Sequence, residues 1–310
     1  PGEHQSMSTF AWLDRKGNKE YLGLPRREYG TFRLSPDDRY LAFTVTDGPQ
    51  QRIFVHDFDT GVDAQLTSDG FKNCPIWSPD GKVLVYTGGT GTVRDILAQP
   101  IDMSWEPIKL TEGFFTGIFL ANDHFLIWDF DDLTAVRLEN MEGPYKVNQT
   151  ETLKEGNFAG PALSPDGNWL AFSRVETEKG GWGIYVSPYP ELDSHTQISK
   201  SGGEDPLWNP NGKEIIYRSM GGGLPSQNSD SWGTKFYSVE VSYKSGFKAS
   251  TPKVLFEGPY INAPGYSWDI SSDGERFLLL ENKKHQAEPV AELVVISNFF
   301  DLLREKVPTE

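Results

Sequence analysis

The chain has 310 residues, 44 acidic and 29 basic, for a net charge of −15. Such a surface repels phosphate backbones and anionic lipid headgroups, which argues against nucleic acid as a partner. The single cysteine, Cys74, excludes an internal disulfide, and no apolar run reaches the roughly 18 residues of a membrane helix, so no membrane span is expected.

The chain opens at Pro1 with neither an initiator Met nor a signal-like segment, which reads as a processed or excised start. Two strands follow, "STFAWLD" and "KEYLG", joined by the turn "RKGN". Next comes a phrase that the chain repeats. Its copies are "LSPDDRYLAF" (Leu34–Phe43), "WSPDGKVLVY" (Trp77–Tyr86), "LSPDGNWLAF" (Leu163–Phe172), "WNPNGKEIIY" (Trp208–Tyr217) and "ISSDGERFLL" (Ile270–Leu279), with a worn copy "LANDHFLIW" (Leu120–Trp128) between the second and third. In the second copy Pro79 presets φ and Asp80-Gly81 accepts a tight turn between an aromatic strand and an alternating one. Cys74, in "NCPIW" where a strand begins, reads as a small buried side chain rather than a nucleophile or ligand.

Anchored on the position equivalent to the proline, the copies fall at 36, 79, 122, 165, 210 and 272, in steps of 43, 43, 43, 45 and 62. A period of about 40 to 45 residues made of strands marks the blades of a β-propeller, because one four-stranded blade cannot cover its own faces. The expected fold is all-β: a single domain over 1–310 with six four-stranded blades starting near residues 31, 73, 116, 159, 203 and 264. Residues 1–30 supply the closing hairpin, "AELVVIS" (Ala291–Ser297) the third strand of the last blade, and 298–310 a short helix capped by Asn298. Six repeats provide 23 strands and the hairpin raises the total to 25, so seven blades is the alternative.

The "SPDG" turns followed by "LAF" or "VLVY" strands resemble the TolB-type propellers of bacteria, a branch of the WD-repeat-like superfamily, over about Gly30 to Ser297. The opening "FAWLDRKGNKEYLG" and the closing "ELVVISNFFDLLREKVP" are also similar to a subgroup found as C-terminal portions of larger bacterial chains, some after a membrane anchor and a cytoplasmic kinase. The resemblance implies a binding or sensing module in the periplasm or outside the cell; a monomer is expected, and the absence of a linear catalytic motif favours a non-enzymatic role.

In a propeller, the loops leading into the innermost strands share one face with the loops between second and third strands, and that inlet face is the default binding site. Here those loops offer Tyr29, Asn73, Phe115, Phe158, Glu204, Asp205, Tyr260 and Asn262. Such a rim suits a protein, peptide or glycan, although each aromatic taken singly also suits packing between blades. Glu204 and Asp205 are the acids placed to take a cation or amine. Trp182 and Trp232 sit on loops of neighbouring repeats, the latter within the Gly/Ser-rich insertion Ser219–Lys235, which reads equally as a lid or a tolerated insertion. "WDFDDL" offers Asp129, Asp131 and Asp132 as oxygen ligands for Ca²⁺, but without the glycine and distant Glu of a calcium loop these acids read rather as solvated. No metal or other cofactor is expected. The chain has no G-x-S-x-G elbow and its five His show no H-x-x-x-H spacing. The alternative function is a lyase or glycosidase built on rim carboxylates such as Glu204 with Glu155, and a third is a purely structural domain.

Overall fold

The repeated phrase folds as a clipped turn. In the second copy Ser78 Oγ donates to Asp80 Oδ1 at 2.7 Å and accepts from Val83 N at 3.0 Å, while Gly81 N donates to Ser78 O at 2.9 Å. Gly81 lies at φ +69°, a left-handed conformation that costs glycine nothing. The serine-to-aspartate clip recurs at Ser35–Asp37, Ser164–Asp166 and Ser271–Asp273, each at 2.5 Å. In "WNPNG" Asn209 and Asn211 take over, their Oδ1 atoms accepting from Asn211 N at 3.0 Å and Lys213 N at 2.8 Å. Each turn thus carries its own hydrogen bonds, which explains why the phrase is spelled so uniformly.

The computed structural model describes residues 7–281 apart from 69, 90–93, 122, 129–131, 140–142, 157, 177–180, 220–233, 244–245 and 263–264. The chain begins with the hairpin β1 (Thr9–Asp14) and β2 (Lys19–Tyr21). Four blades follow, each an antiparallel sheet running from the innermost strand outward. The first is β3 (Tyr29–Leu34), β4 (Tyr40–Asp47), β5 (Gln50–Asp57) and β6 (Val62–Gln65). The second is β7 (Lys72–Trp77), β8 (Val83–Gly88), β9 (Asp95–Pro100) and β10 (Ile108–Glu112). The worn repeat builds a full third blade, β11 (Phe115–Ala121), β12 (His124–Trp128), β13 (Asp132–Glu139) and β14 (Lys146–Glu155). It survives because "FLIW" keeps its apolar residues, with Phe125 and Leu126 fully buried. The fourth blade is β15 (Phe158–Leu163), β16 (Trp169–Glu176), β17 (Gly181–Pro188) and β18 (Thr196–Gln197).

The fifth blade comprises β19 (Glu204–Trp208), β20 (Glu214–Arg218) and β21 (Thr234–Ser242), with its outer edge split into β22 (Lys248–Ala249) and β23 (Lys253–Gly258), both paired to β21. The sixth is β24 (Trp268–Ile270) and β25 (Arg276–Glu281), completed by β1 and β2. β1 runs antiparallel to β25 from Thr9↔Glu281 to Asp14↔Arg276. The ring therefore has six blades and no seventh is formed by the N-terminal hairpin; among the described residues there are 25 strands, the split outer edge of the fifth blade supplying two of them. The place beside β25 belongs to β1, whereas Ala291–Ser297 and the expected C-terminal helix lie outside the described residues.

Polar ties reinforce the closure. Arg15, in the hairpin turn, meets Glu214 of the fifth blade at 2.5 Å and donates to Gly274 O at 2.9 Å. Lys19 Nζ and Tyr21 Oη each donate to Glu281 at 2.9 Å. On the other side Asp38 accepts from Ser272 N and Oγ, both at 2.8 Å, joining first blade to sixth. The core lies between blades, so inner strands are buried on both faces, β8 along its whole length. Phe10 packs against Tyr29 and Phe32 with ring centroids 4.6 and 5.0 Å away. Trp77, Trp208 and Trp268 donate their indole N–H to the preceding blade, at Arg33 O, Ala162 O and Asp205 O over 3.0, 3.0 and 3.2 Å. A buried Trp needs such a partner.

Candidate functional site

At the inlet end, five innermost strands break register by a bulge: between Tyr29 and Phe32, Asn73 and Ile76, Thr116 and Phe119, Ala159 and Ala162, and Glu204 and Leu207. Bulges re-aim side chains. The first residue inside the bulge is left-handed in three blades: Cys74 at φ +51°, Gly160 at +55° and Asp205 at +49°. An acid thus stands where the neighbouring blade uses glycine.

Asp205 is buried at 8% exposure, and Arg218, at the end of β20, is buried at 1%. Arg218 Nη2 donates to both Asp205 Oδ2 and Asn262 Oδ1. Its Nη1 donates to Ser267 Oγ at 2.8 Å, and its Nε lies 3.6 Å from Glu204 Oε1. Asn262 Nδ2 in turn donates to Glu204 Oε1. One guanidinium therefore serves two carboxyls. Burial pushes both acids up against the pull of Arg218, and Glu204, whose side chain is 22% exposed, reaches about 7. Of the two acids, Glu204 is the one that meets water.

The structure brings Glu204, Asp205 and Asn262 together and sends the aromatic candidates elsewhere. Tyr29, Phe115, Phe158 and Tyr260 are all buried. Tyr29 donates to Pro25 O at 2.5 Å, and burial pushes its hydroxyl up to about 12. Phe115 stacks on Trp128 at 4.4 Å, Phe158 packs on Phe172 at 4.9 Å, and Tyr260 meets Phe236 at 5.9 Å and Phe256 at 6.0 Å. Asn73 is half-buried, its Oδ1 accepting from Thr31 Oγ1 at 2.5 Å and Cys74 N at 2.7 Å. Trp182, also half-buried, packs on the cluster holding Phe158 and Phe172, and its carbonyl accepts from Gly203 N at 2.9 Å. Trp232, Asp129 and Asp131 lie outside the described residues. Among the described residues no three His, Cys, Asp or Glu side chains could share a metal. Glu155 ends the outermost strand of the third blade and is exposed, whereas Glu204 begins the innermost strand of the fifth.

Two arginines at this end went unread in the sequence. Arg218 looks like an ordinary strand end in "EIIYRS". Arg94 lies over the rings of Phe71 at 3.7 Å and Phe114 at 5.3 Å, with its Nε buried and without a partner among the described residues. The phenylalanines of the two adjoining inlet loops are the signal that could have pointed to it. Burial pushes the Cys74 thiol up to about 12, with Thr31 and Arg94 pulling down and Asp205 pushing further up.

The bore itself is stoppered. Tyr266, buried ahead of β24, donates from its hydroxyl to Pro161 O of the fourth blade at 2.5 Å, and its carbonyl accepts from Phe32 N of the first at 2.9 Å. Gly265, at φ +95°, passes so close that a Cβ there would lie 2.9 Å from Thr31 Cγ2 and 3.0 Å from Cys74 Sγ. Only glycine fits this crossing. On the turn side of the stopper lies a cavity of about 670 Å³ to which all six blades contribute, among them Arg33, Trp77, Ile118, Leu163, Trp208 and Asp269.

No family model matches the chain. Over 150 residues it is 29% identical to the uncharacterized peptidase YuxL of Bacillus subtilis (strain 168), a match covering 47% of this chain and 22% of that protein. The chain thus spans about a fifth of that curated relative. Among solved structures, a protein from Agrobacterium tumefaciens assigned as TolB aligns with a TM-score of 0.65 at 17% identity, covering 90% of this chain and 99% of the other. TolB from Acinetobacter baumannii aligns at 0.57 and 16% identity, covering 91% of this chain and 65% of the other. With its six four-stranded blades, the chain has the fold of the TolB-type β-propellers.

Proposed function

We propose that the chain is a non-catalytic recognition module, placed outside the cytoplasm, whose inlet face binds a protein, peptide or glycan. The observation that carries this reading is the commitment of the acids. Asp205 is spent on Arg218 beneath the surface, and Glu204 is held by Asn262 and Arg218. A glycosidase needs two carboxyls facing one scissile bond. Here one faces water and the other faces a guanidinium. What remains at the face are directional hydrogen-bonding groups, Asn262, Glu204, Asn73 and Arg94, beside the rings of Trp182 and Phe114, and this combination suits recognition by hydrogen bonds and stacking.

The test is binding of labelled protein to glycan and peptide arrays, followed by product analysis of every hit. Binding without product is expected, weakened about tenfold by Asn262→Ala through loss of one charge-linked hydrogen bond. Turnover of a bound glycan that Glu204→Gln abolishes establishes the enzymatic alternative instead.

A further inference from the structure

We infer that the cavity at the turn end of the bore is a second binding site, for an uncharged, mostly apolar small molecule that presents a carbonyl or hydroxyl oxygen to Arg33. It is independent of the inlet face, since the Gly265–Tyr266 crossing separates the two ends. A volume of about 670 Å³ falls within the roughly 300 to 1,000 Å³ of small-molecule pockets, which pair apolar walls with a few fixed polar groups. The walls here are Ile118, Phe119, Leu163, Trp77 and Trp208, and both indole N–H groups are already spent on neighbouring blades. These walls therefore offer contact but no hydrogen bonds.

The polar group at the base is Arg33. Its Nε lies 3.4 Å from Asp269 Oδ2 and its guanidinium lies over the Tyr266 ring at 4.7 Å. Asp269 also accepts from Leu34 N at 2.8 Å and Ile270 N at 2.9 Å, one bond to each oxygen. Arg33 Nη1 is buried without a hydrogen-bond partner. That atom is closed off, but the Arg33 side chain as a whole lines the cavity and keeps 20% exposure, so an oxygen that enters meets a guanidinium able to make a charge-assisted hydrogen bond. Charge selects a neutral ligand. The Arg33–Asp269 pair has no net charge to offer an ion, the turn acids Asp37, Asp38, Asp80, Asp166 and Asp273 repel an anion on approach, and a cation finds a guanidinium at the base.

Prodan, an uncharged naphthalene with a propionyl ketone, is a suitable probe, and 2-dimethylaminonaphthalene is the same ring system without the ketone. Saturable one-to-one prodan binding is expected, with energy transfer from tryptophan and an affinity about tenfold above that of the ketone-free probe. Ile118→Trp fills the cavity and is expected to weaken prodan about tenfold while the unfolding midpoint holds; Leu163→Trp serves if that variant does not fold. The charge-neutral pair Arg33→Met with Asp269→Asn is expected to remove the preference for the ketone. Absent or unsaturable binding, binding indifferent to the filled cavity, or equal affinity for the two probes overturns the inference.

Discussion

At the turn end of the ring four blades repeat one serine-to-aspartate clip, whereas at the inlet end a single charged cluster joins the fifth blade to the segment that leads into the sixth. The clips are local: each joins residues two apart and satisfies its own backbone. The inlet cluster is the reverse, tying Glu204 to Asn262 across 58 positions and Arg218 to Ser267 across 49. Repetition builds the scaffold, and departures from it place the charges.

The largest expected effect lies at the inlet. Arg218→Met leaves Asp205 and Glu204 buried without their cation, and urea denaturation should show a loss of about 3 to 5 kcal/mol. A loss below about 1 kcal/mol would erase the contrast between the two ends.

Next comes the pH dependence of Glu204. Burial raises its folded-state value from 4.5 to about 7, so the folded chain holds a proton that the unfolded chain has released. Wild-type stability should fall as pH rises from about 4.5 to about 7 and then level off. Glu204→Gln keeps the acceptor for Asn262 and removes the titration, so its stability relative to wild type should rise across that window by about 3 kcal/mol. Parallel stability curves for the two proteins would contradict the assignment.

The clips give the smallest effect. Ser35 holds the Asp37 carboxyl below the ordinary carboxylate range through the hydroxyl hydrogen bond. That contribution is present above about pH 4 and disappears as acid protonates Asp37. Ser35→Ala should cost about 1 kcal/mol at pH 7 and clearly less at pH 2, as read from paired denaturation midpoints.

Much of the scaffold was legible because its signals are local. The turn phrase sets the hairpins, its spacing sets the blades, and the opening hairpin announces the closing strands. The worn repeat kept its place because "FLIW" fills both faces of a sheet without the clip. The candidate site was legible only in part. Glu204, Asp205 and Asn262 stood out as polar residues on inlet loops, but aromatic residues on the same loops turn inward, since blade stacking buries both faces of an inner strand. Arg218, Arg33 and the Gly265–Tyr266 crossing carry no periodic signal. Their roles depend on a bulge that shifts a side chain and on partners one or more blades away.

The most direct test of the central claim, that the inlet charges are retained for recognition rather than for stability, is the double replacement Arg218→Met with Asp205→Asn, chosen because Asn tolerates the left-handed backbone at that position. Urea denaturation and the ligand arrays are measured on the same preparation. The account predicts stability within about 1 kcal/mol of wild type together with loss of array binding. A variant as unstable as Arg218→Met alone that still binds would contradict it.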